Sequence, residues 1–179
     1  MIPDDLEAHQ IPSFMDDILH EWATEKYPSV EILRVSLQPM NFLITLFDTT
    51  KHKDPVILLW KEVFGYEADH NLPSLVIDKK REVDDGLFFV AQADEEVVGT
   101  VMAGYDGHRG WIYSMAVSPN YRKQRLGSQL LSFAEAKLSE KGCIKVNLQI
   151  MDGNEPVQQF YQATGYQTEK RINMGKRLP

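Results

Sequence analysis

One stretch of this 179-residue chain is more informative than the rest: Val117-Ser118-Pro119-Asn120-Tyr121-Arg122-Lys123-Gln124-Arg125-Leu126-Gly127-Ser128-Gln129-Leu130-Leu131. The apolar run at 111–117 is typical of a β-strand and is followed by a proline, a short basic loop and the start of a helix near Leu126. Free backbone N–H groups, the positive end of the helix dipole and fixed side-chain cations would converge in that loop. The order of these elements therefore predicts a phosphate-binding site.

The pattern around this stretch predicts an α/β fold. After the loop, Leu126, Leu130, Ala134 and Leu138 recur every four residues, as on the buried face of a helix that Gly142 would end. Periodicity and turn residues predict further helices at 13–27, 54–64, 75–83 and 155–164. They predict strands at 30–37, 42–47, 87–93, 97–105, 111–117 and 144–150, and a closing strand or hairpin at 166–178. We expect a mixed, mostly antiparallel central sheet flanked by helices, with 144–150 as a central strand covered on both faces.

Composition and charge exclude several classes of protein. The net charge of −7 argues against a nucleic-acid binder, which needs clustered cations. The single cysteine, Cys143, cannot form an intrachain disulfide, and the first residues lack the pattern of a secretory signal. No apolar run is long enough to span a membrane, so we expect a cytoplasmic protein. The five histidines are scattered without metal-ligand spacing, and no metal site is predicted.

Two motifs resemble the GCN5-related N-acetyltransferase (GNAT) family. Its acetyl-CoA motif, Arg/Gln-x-x-Gly-x-Gly/Ala after a strand, is matched at 122–127, except that Arg125 replaces the first glycine. A later pattern of Asn, Phe-Tyr and Gly-Tyr is matched by Asn154, Phe160-Tyr161 and Gly165-Tyr166. The run 98–110 is similar to the YpeA-type subgroup of bacterial acetyltransferases. The resemblance covers about 40–178 and implies the GNAT fold, so we divide the chain into an N-terminal extension, 1–39, and an acetyltransferase domain, 40–179.

The resemblance also implies the cofactor and its binding residues. Acetyl-CoA would be the co-substrate, with the amides of residues 125–128 on its diphosphate and Arg122 or Lys123 near its outer phosphates. A backbone N–H within 115–117 would face the thioester carbonyl and favour the developing oxyanion. The residues expected to bind the cofactor are Met115, Ala116, Val117, Arg122, Lys123, Gln124, Arg125, Leu126, Gly127, Ser128 and Asn154.

Tyr161 is the one residue to which the motif assigns a catalytic role. Coenzyme A leaves as a thiolate, and a phenol with an ordinary pKa of about 10 is a plausible proton donor for it. A helix N-cap is the simpler role for Asn154, and it is compatible with binding the cofactor. No general base is assigned: Tyr113 and Ser114 stand where many family members place a glutamate, and the loops offer Glu67, Asp69, Asp106 and His108.

These observations predict transfer of an acetyl group from acetyl-CoA to a primary amine by direct attack in a ternary complex. The acceptor would be an amine-bearing small molecule or a peptide or protein amine. The alternative is a non-catalytic acyl-CoA-binding regulatory module. A nucleotide binder is disfavoured because no P-loop motif is present. The apolar face of Phe14, Ile18 and Trp22 would cover its own domain or be exchanged across a homodimer.

Overall fold

The structure, a computed structural model, describes residues 42–65 and 71–177. The helix predicted at 13–27 and the strand predicted at 30–37 lie outside the described residues. The described chain runs through β1 (Leu43–Leu46), α1 (Thr49–Phe64), α2 (Pro73–Val83), β2 (Phe88–Ala93), β3 (Glu96–Tyr105), β4 (Gly110–Val117), a 3-10 turn (Pro119–Tyr121), α3 (Leu126–Glu140), β5 (Val146–Leu148) and α4 (Glu155–Ala163).

The strands form one sheet in the order β1-β2-β3-β4-β5. The first four pair antiparallel and β5 pairs parallel with β4, so the mixed, mostly antiparallel sheet predicted from the sequence is confirmed. Side chains on the two faces enter separate apolar clusters, because residues of a strand alternate between faces. One cluster contains Leu130 and Leu138 of α3, and the other contains Val56 and Trp60 of α1.

Helix α1 begins five residues before the predicted start at Asp54. The Asp48 side chain accepts a hydrogen bond of 2.8 Å from the Thr50 backbone N–H, which caps the helix at that point. The Asp54-Pro55 pair has the residue types of a helix start, but here both residues lie inside the helix. The end of the helix is as predicted: Gly65 is left-handed, with φ 56°.

The strand prediction for 144–150 was wrong in length and position. Only Val146–Leu148 is a strand, it lies at the end of the sheet, and Ile144 is 92% exposed. The sequence explains this outcome, since Lys145, Asn147 and Gln149 alternate with the apolar residues. Such alternation is typical of a half-buried strand rather than a strand covered on both faces.

The closing strand or hairpin predicted at 166–178 was also wrong, because the described part of that segment, 166–177, contains no strand. Ile172 is 92% and Met174 88% exposed, so the segment buries little apolar surface of its own. Side chains connect it to the residues that flank β5: Lys145 pairs with Glu169, and Gln149 donates to Asn173 at 2.8 Å. Both pairs are separated by 24 residues, which shows that the segment runs in the same direction as β5.

Candidate functional site

The loop between β4 and α3 exposes a series of backbone donors. Lys123 and Arg125 are both left-handed, with φ 60° and 63°, and α3 starts without a side-chain cap. The first N–H of the helix with a described acceptor is that of Gln129, which bonds to the Arg125 carbonyl at 3.0 Å. Within the described ranges, the N–H groups of residues 123–128 bond to no protein acceptor. Successive N–H groups in such a backbone form a concavity suited to an anion.

The charges around this loop favour the same ligand. Arg122, Lys123 and Arg125 are exposed, and the sequence contains no Asp or Glu between Asp106 and Glu135. Arg122 also donates from Nε to the Val117 carbonyl at 3.2 Å, which places its guanidinium at the end of β4. A helix N-terminus with added cations and no neighbouring carboxylate in the sequence fits a phosphate group.

Arg125 occupies the backbone conformation that the missing glycine would adopt without strain. For a residue with a Cβ, the left-handed region costs about 1–2 kcal/mol. We expect Arg125→Gly to unfold at higher denaturant than Arg125→Ala, with a free energy of unfolding larger by about 1 kcal/mol, because both lose the charge and only alanine keeps the strain. Urea titration of the two variants measures this difference. Equal stabilities would show that the loop relaxes away from the left-handed conformation.

Strand β4 carries a bulge beside this loop. Its pairing with β3 shifts by one residue, since Thr100 faces Ala116 whereas Met102 faces Tyr113. Ser114, in the bulge, has φ 49°, an uncommon value for a residue other than glycine. On the other edge, β5 pairs only with Gly110–Ile112 of β4, so residues 113–117 have no strand partner there among the described residues. The two strands therefore leave an opening at the end of β4.

Tyr161 of α4 lies against this opening. It is 8% exposed, and its hydroxyl is 3.6 Å from the Met115 sulfur. Burial, with a smaller contribution from the Glu135 carboxylate, raises the pKa of Tyr161 to about 12. The Tyr166 hydroxyl donates to Glu135 at 2.7 Å, and the Tyr166 ring contacts the Tyr161 ring edge-on at 5.4 Å. Tyr161 therefore keeps its proton throughout the physiological pH range.

The structure brings together three of the predicted site segments. A Cβ placed on Gly127 would lie 3.4 Å from the Phe160 ring and 3.6 Å from Met115 Cε. The N-terminus of α3, the end of β4 and the Phe160-Tyr161 pair of α4 thus meet at one place.

Asn154 lies apart from that meeting point, at the start of α4. Its side-chain oxygen accepts from the Val157 N–H at 3.4 Å, which is the helix-cap role considered from the sequence. Both Asn154 and Tyr161 line a cleft of about 1100 Å³ between β5, α4 and the C-terminal segment. Residues 115–128 do not line this cleft, so it lies beside the loop rather than over it.

Among the described candidates for a general base, Asp106 is engaged in a turn and Tyr113 is 42% exposed. Glu67 and Asp69 lie outside the described residues, and Asp106 accepts from the His108 and Arg109 N–H groups in the β3–β4 turn. Those backbone hydrogen bonds lower the pKa of Asp106. Burial raises the pKa of Tyr113. Among the described residues, no group of three or more His, Cys, Asp or Glu side chains is placed to hold a metal ion.

Sequence reasoning missed the buried polar residues around β4. The Lys80 ammonium, 8% exposed as a residue, pairs with Asp85 at 2.6 Å and lies 5.8 Å from the centre of the Tyr113 ring. Burial lowers the pKa of Lys80, while the Asp85 partner opposes that shift. Thr100 is fully buried in the middle of β3. A threonine within the apolar run at 97–103 was the available signal for a buried hydroxyl with specific partners.

Comparison with known proteins agrees with this geometry. The model of the Acetyltransferase (GNAT) family matches residues 52–166, and a model described as a domain of unknown function (DUF7661) matches residues 1–34. An acetyltransferase of Yersinia pestis (strain Pestoides F) is 39% identical over 125 residues, which cover 70% of this chain and 88% of that protein. The chain belongs to the GNAT family of acetyltransferases.

Solved structures share the fold at low sequence identity. AAC(6')-Iy in complex with the bisubstrate analog CoA-S-monomethyl-acetylneamine is 19% identical, with a TM-score of 0.63 over 78% of this chain and 99% of that one. A transcriptional regulator from Bacillus halodurans C-125 is 22% identical, with a TM-score of 0.62 over 77% of this chain and 100% of that one. Among the described helices, none is both long and apolar enough to cross a membrane.

Proposed function

We propose that this protein transfers the acetyl group of acetyl-CoA to a primary amine by direct attack in a ternary complex. The observation that carries the proposal is the row of backbone N–H groups at 123–128 beside the opening of β4. When bound, acetyl-CoA supplies the acetyl group as an activated thioester. The bisubstrate analog held by AAC(6')-Iy joins coenzyme A to an acceptor, which supports a direct transfer in this fold.

Each predicted site residue has a role in the proposed reaction. The amides of residues 125–128 hold the diphosphate, and Arg122 or Lys123 approaches the outer phosphates. Met115, Ala116 and Val117 offer backbone groups along the open edge of β4, while Gln124, Leu126 and Gly127 shape the loop. Asn154, which lines the cleft beside β5, is assigned to the pantetheine arm. Tyr161 stays protonated at neutral pH, as a proton donor for the leaving thiolate must.

The acceptor is proposed only as an amine on a small molecule, a peptide or a protein. A non-catalytic acyl-CoA-binding regulatory module is the second candidate. It is favoured by the likeness to a protein described as a transcriptional regulator and by the absence of an arranged base among the described residues. We further propose a cytoplasmic location, a boundary between an extension at 1–39 and the domain at 40–179, and a homodimer.

The cofactor proposal is tested by a charge placed in the loop. Ser128→Glu puts a carboxylate in the first turn of α3, where the helix dipole favours it, so the fold should be preserved. The same carboxylate would repel a diphosphate, and we expect the Kd for coenzyme A measured by calorimetry to rise about 10-fold or more. Ser139→Glu, exposed in the last turn of the same helix, is the matched control.

Two results would contradict the proposed function. Equal affinities of Ser128→Glu and Ser139→Glu for coenzyme A would place the cofactor elsewhere. Thiol release should then be measured with acetyl-CoA and a panel of small amines, peptides and proteins. Tight cofactor binding without release with any amine would support the regulatory module instead.

A further inference from the structure

A buried hydrogen-bonded chain connects α1 to the bulge of β4. The Trp60 indole donates from Nε1 to the Thr100 hydroxyl at 2.8 Å, and that hydroxyl donates to the Ser114 carbonyl at 3.2 Å. Trp60 and Thr100 are both fully buried. A hydroxyl has one proton to give, so the indole donor obliges Thr100 to direct its own proton to Ser114.

These two hydrogen bonds fix the orientation of the peptide unit between Ser114 and Met115. No cis peptide occurs among the described residues, and in a trans peptide the N–H points opposite to the C=O of the same plane. Since the Ser114 carbonyl is held toward Thr100, the Met115 N–H is directed away from Thr100. The Met115 side chain contacts the Tyr161 hydroxyl and packs on the α3 and α4 side of the sheet.

The bulge needs such support, because Ser114 has a positive φ. A residue with a Cβ holds a left-handed conformation only when its surroundings determine it, and such strain often occurs at functional sites. The Thr100 hydroxyl holds Ser114 in this conformation from the opposite face of the sheet. On that face lies the apolar cluster of α1 and α2 that contains Trp60. The peptide orientation is therefore set by residues that lie outside the predicted cofactor-binding set.

We propose that Trp60 and Thr100 are positioning residues that orient the Met115 N–H as the donor to the thioester carbonyl oxygen. The inference rests on the proposed function, and it identifies which of the amides at 115–117 serves that carbonyl. Neither side chain touches the cofactor. Their effect passes through the Ser114–Met115 peptide, and it acts on the developing oxyanion rather than on the phosphates.

Three variants distinguish an effect on the orientation of the Ser114–Met115 peptide from an effect on the stability of the fold. Thr100→Val keeps the shape but removes both hydrogen bonds and leaves the Trp60 indole without a described partner. Thr100→Ser keeps the hydroxyl and is the matched control. Trp60→Phe combined with Thr100→Val removes donor and acceptor together and so leaves no unpaired indole, although the smaller ring adds a cavity cost that the stability measurement records.

We expect kcat to fall while the KM for acetyl-CoA changes little. In Thr100→Val and in the double variant, kcat should fall about 10-fold or more, because removing one such donor outright costs about 100- to 1000-fold and here it is only misdirected. The KM for acetyl-CoA should change less than about 3-fold, since the phosphate loop is untouched. Thr100→Ser should retain near wild-type kcat. Thermal unfolding follows the stability of all three variants.

A spectroscopic readout does not depend on turnover. Acetyl-CoA labelled with ¹³C at the acetyl carbonyl should show a downfield shift on binding the wild-type protein and Thr100→Ser, and a much smaller shift on binding Thr100→Val and the double variant. Equal ¹³C shifts in all variants would overturn this inference and leave the proposed function standing. A double variant that is as stable as the wild-type protein and has the same kcat would do so too. Failure of the wild-type protein to bind acetyl-CoA would overturn the proposed function, and the inference with it.

Discussion

Replacing Tyr161 by phenylalanine should lower kcat for thiol release about 100-fold, within the range of a lost general acid. The affinity for coenzyme A should stay near that of the wild-type protein. The ring fills the same space, while the hydroxyl that lies 3.6 Å from the Met115 sulfur is lost. Steady-state kinetics with saturating acetyl-CoA, together with calorimetry for coenzyme A, measures the two effects separately.

The control for this variant is Tyr105→Phe. The Tyr105 hydroxyl bonds to the carbonyls of Gly107 and Gly142, both at 3.3 Å, in a part of the fold with no assigned role in the reaction. That variant should keep kcat. If Tyr161→Phe also kept kcat, the leaving thiolate would take its proton from another source, and Tyr161 would be a packing residue.

The pH dependence of kcat is a second test of Tyr161 as the proton donor. Tyr161 must carry its proton to act as an acid, and burial raises its pKa to about 12, so its contribution is lost only as the pH rises through that value. The wild-type kcat should therefore show no decline from this residue between about pH 7 and pH 10.

Replacing Leu130 by alanine should lower the free energy of unfolding by about 3 kcal/mol and the melting temperature by about 6–12 °C. Leu130 is fully buried on α3, and its side chain packs against Gly99 of β3. A Cβ built on Gly99 would lie 2.8 Å from Leu130 Cδ1, so the leucine fills the space beside the glycine and its removal leaves a cavity there. Urea or thermal unfolding measures the loss.

Leu58→Ala is the matched control for the stability of the core. Leu58 lies on a helix as Leu130 does, but 67% of its surface is exposed, so the same substitution should change the free energy of unfolding by less than about 0.5 kcal/mol. A loss as large as that of Leu130→Ala would mean that Leu58 is covered in solution. A small loss in both variants would contradict the packing of α3 on the sheet.

The sequence predicted most elements because their signals are local. The four-residue spacing from Leu126 to Leu138, and the glycines that follow α1 and α3, predicted helices where the structure has them. The C-terminal part was predicted less well. Whether 166–178 forms a strand depends on what pairs with it, and local periodicity does not predict pairing between distant segments.

The candidate site shows the same limit. The basic loop was predicted, together with the start of α3, because a strand, cations and a helix start are adjacent in the chain. The contact between Thr100 and Ser114 joins residues 14 positions apart, and that between Trp60 and Thr100 joins residues 40 apart. A bulge depends on the register of two strands, and a single sequence does not specify that register around Ser114.

The extra residue in β4 is accommodated in the bulge, so both halves of the strand pack on the same cluster. Ile112 and Met115 pack in the same cluster although three positions separate them, whereas a regular strand would place them on opposite faces. A one-residue deletion at 113–115 would remove the bulge and restore the regular pleat with Ile112 and Met115 still on one face, whereas an insertion there would turn one half of the strand over relative to the other. We therefore expect β4 to keep its packing after such a deletion, to lose the peptide orientation at Ser114, and to tolerate an insertion least.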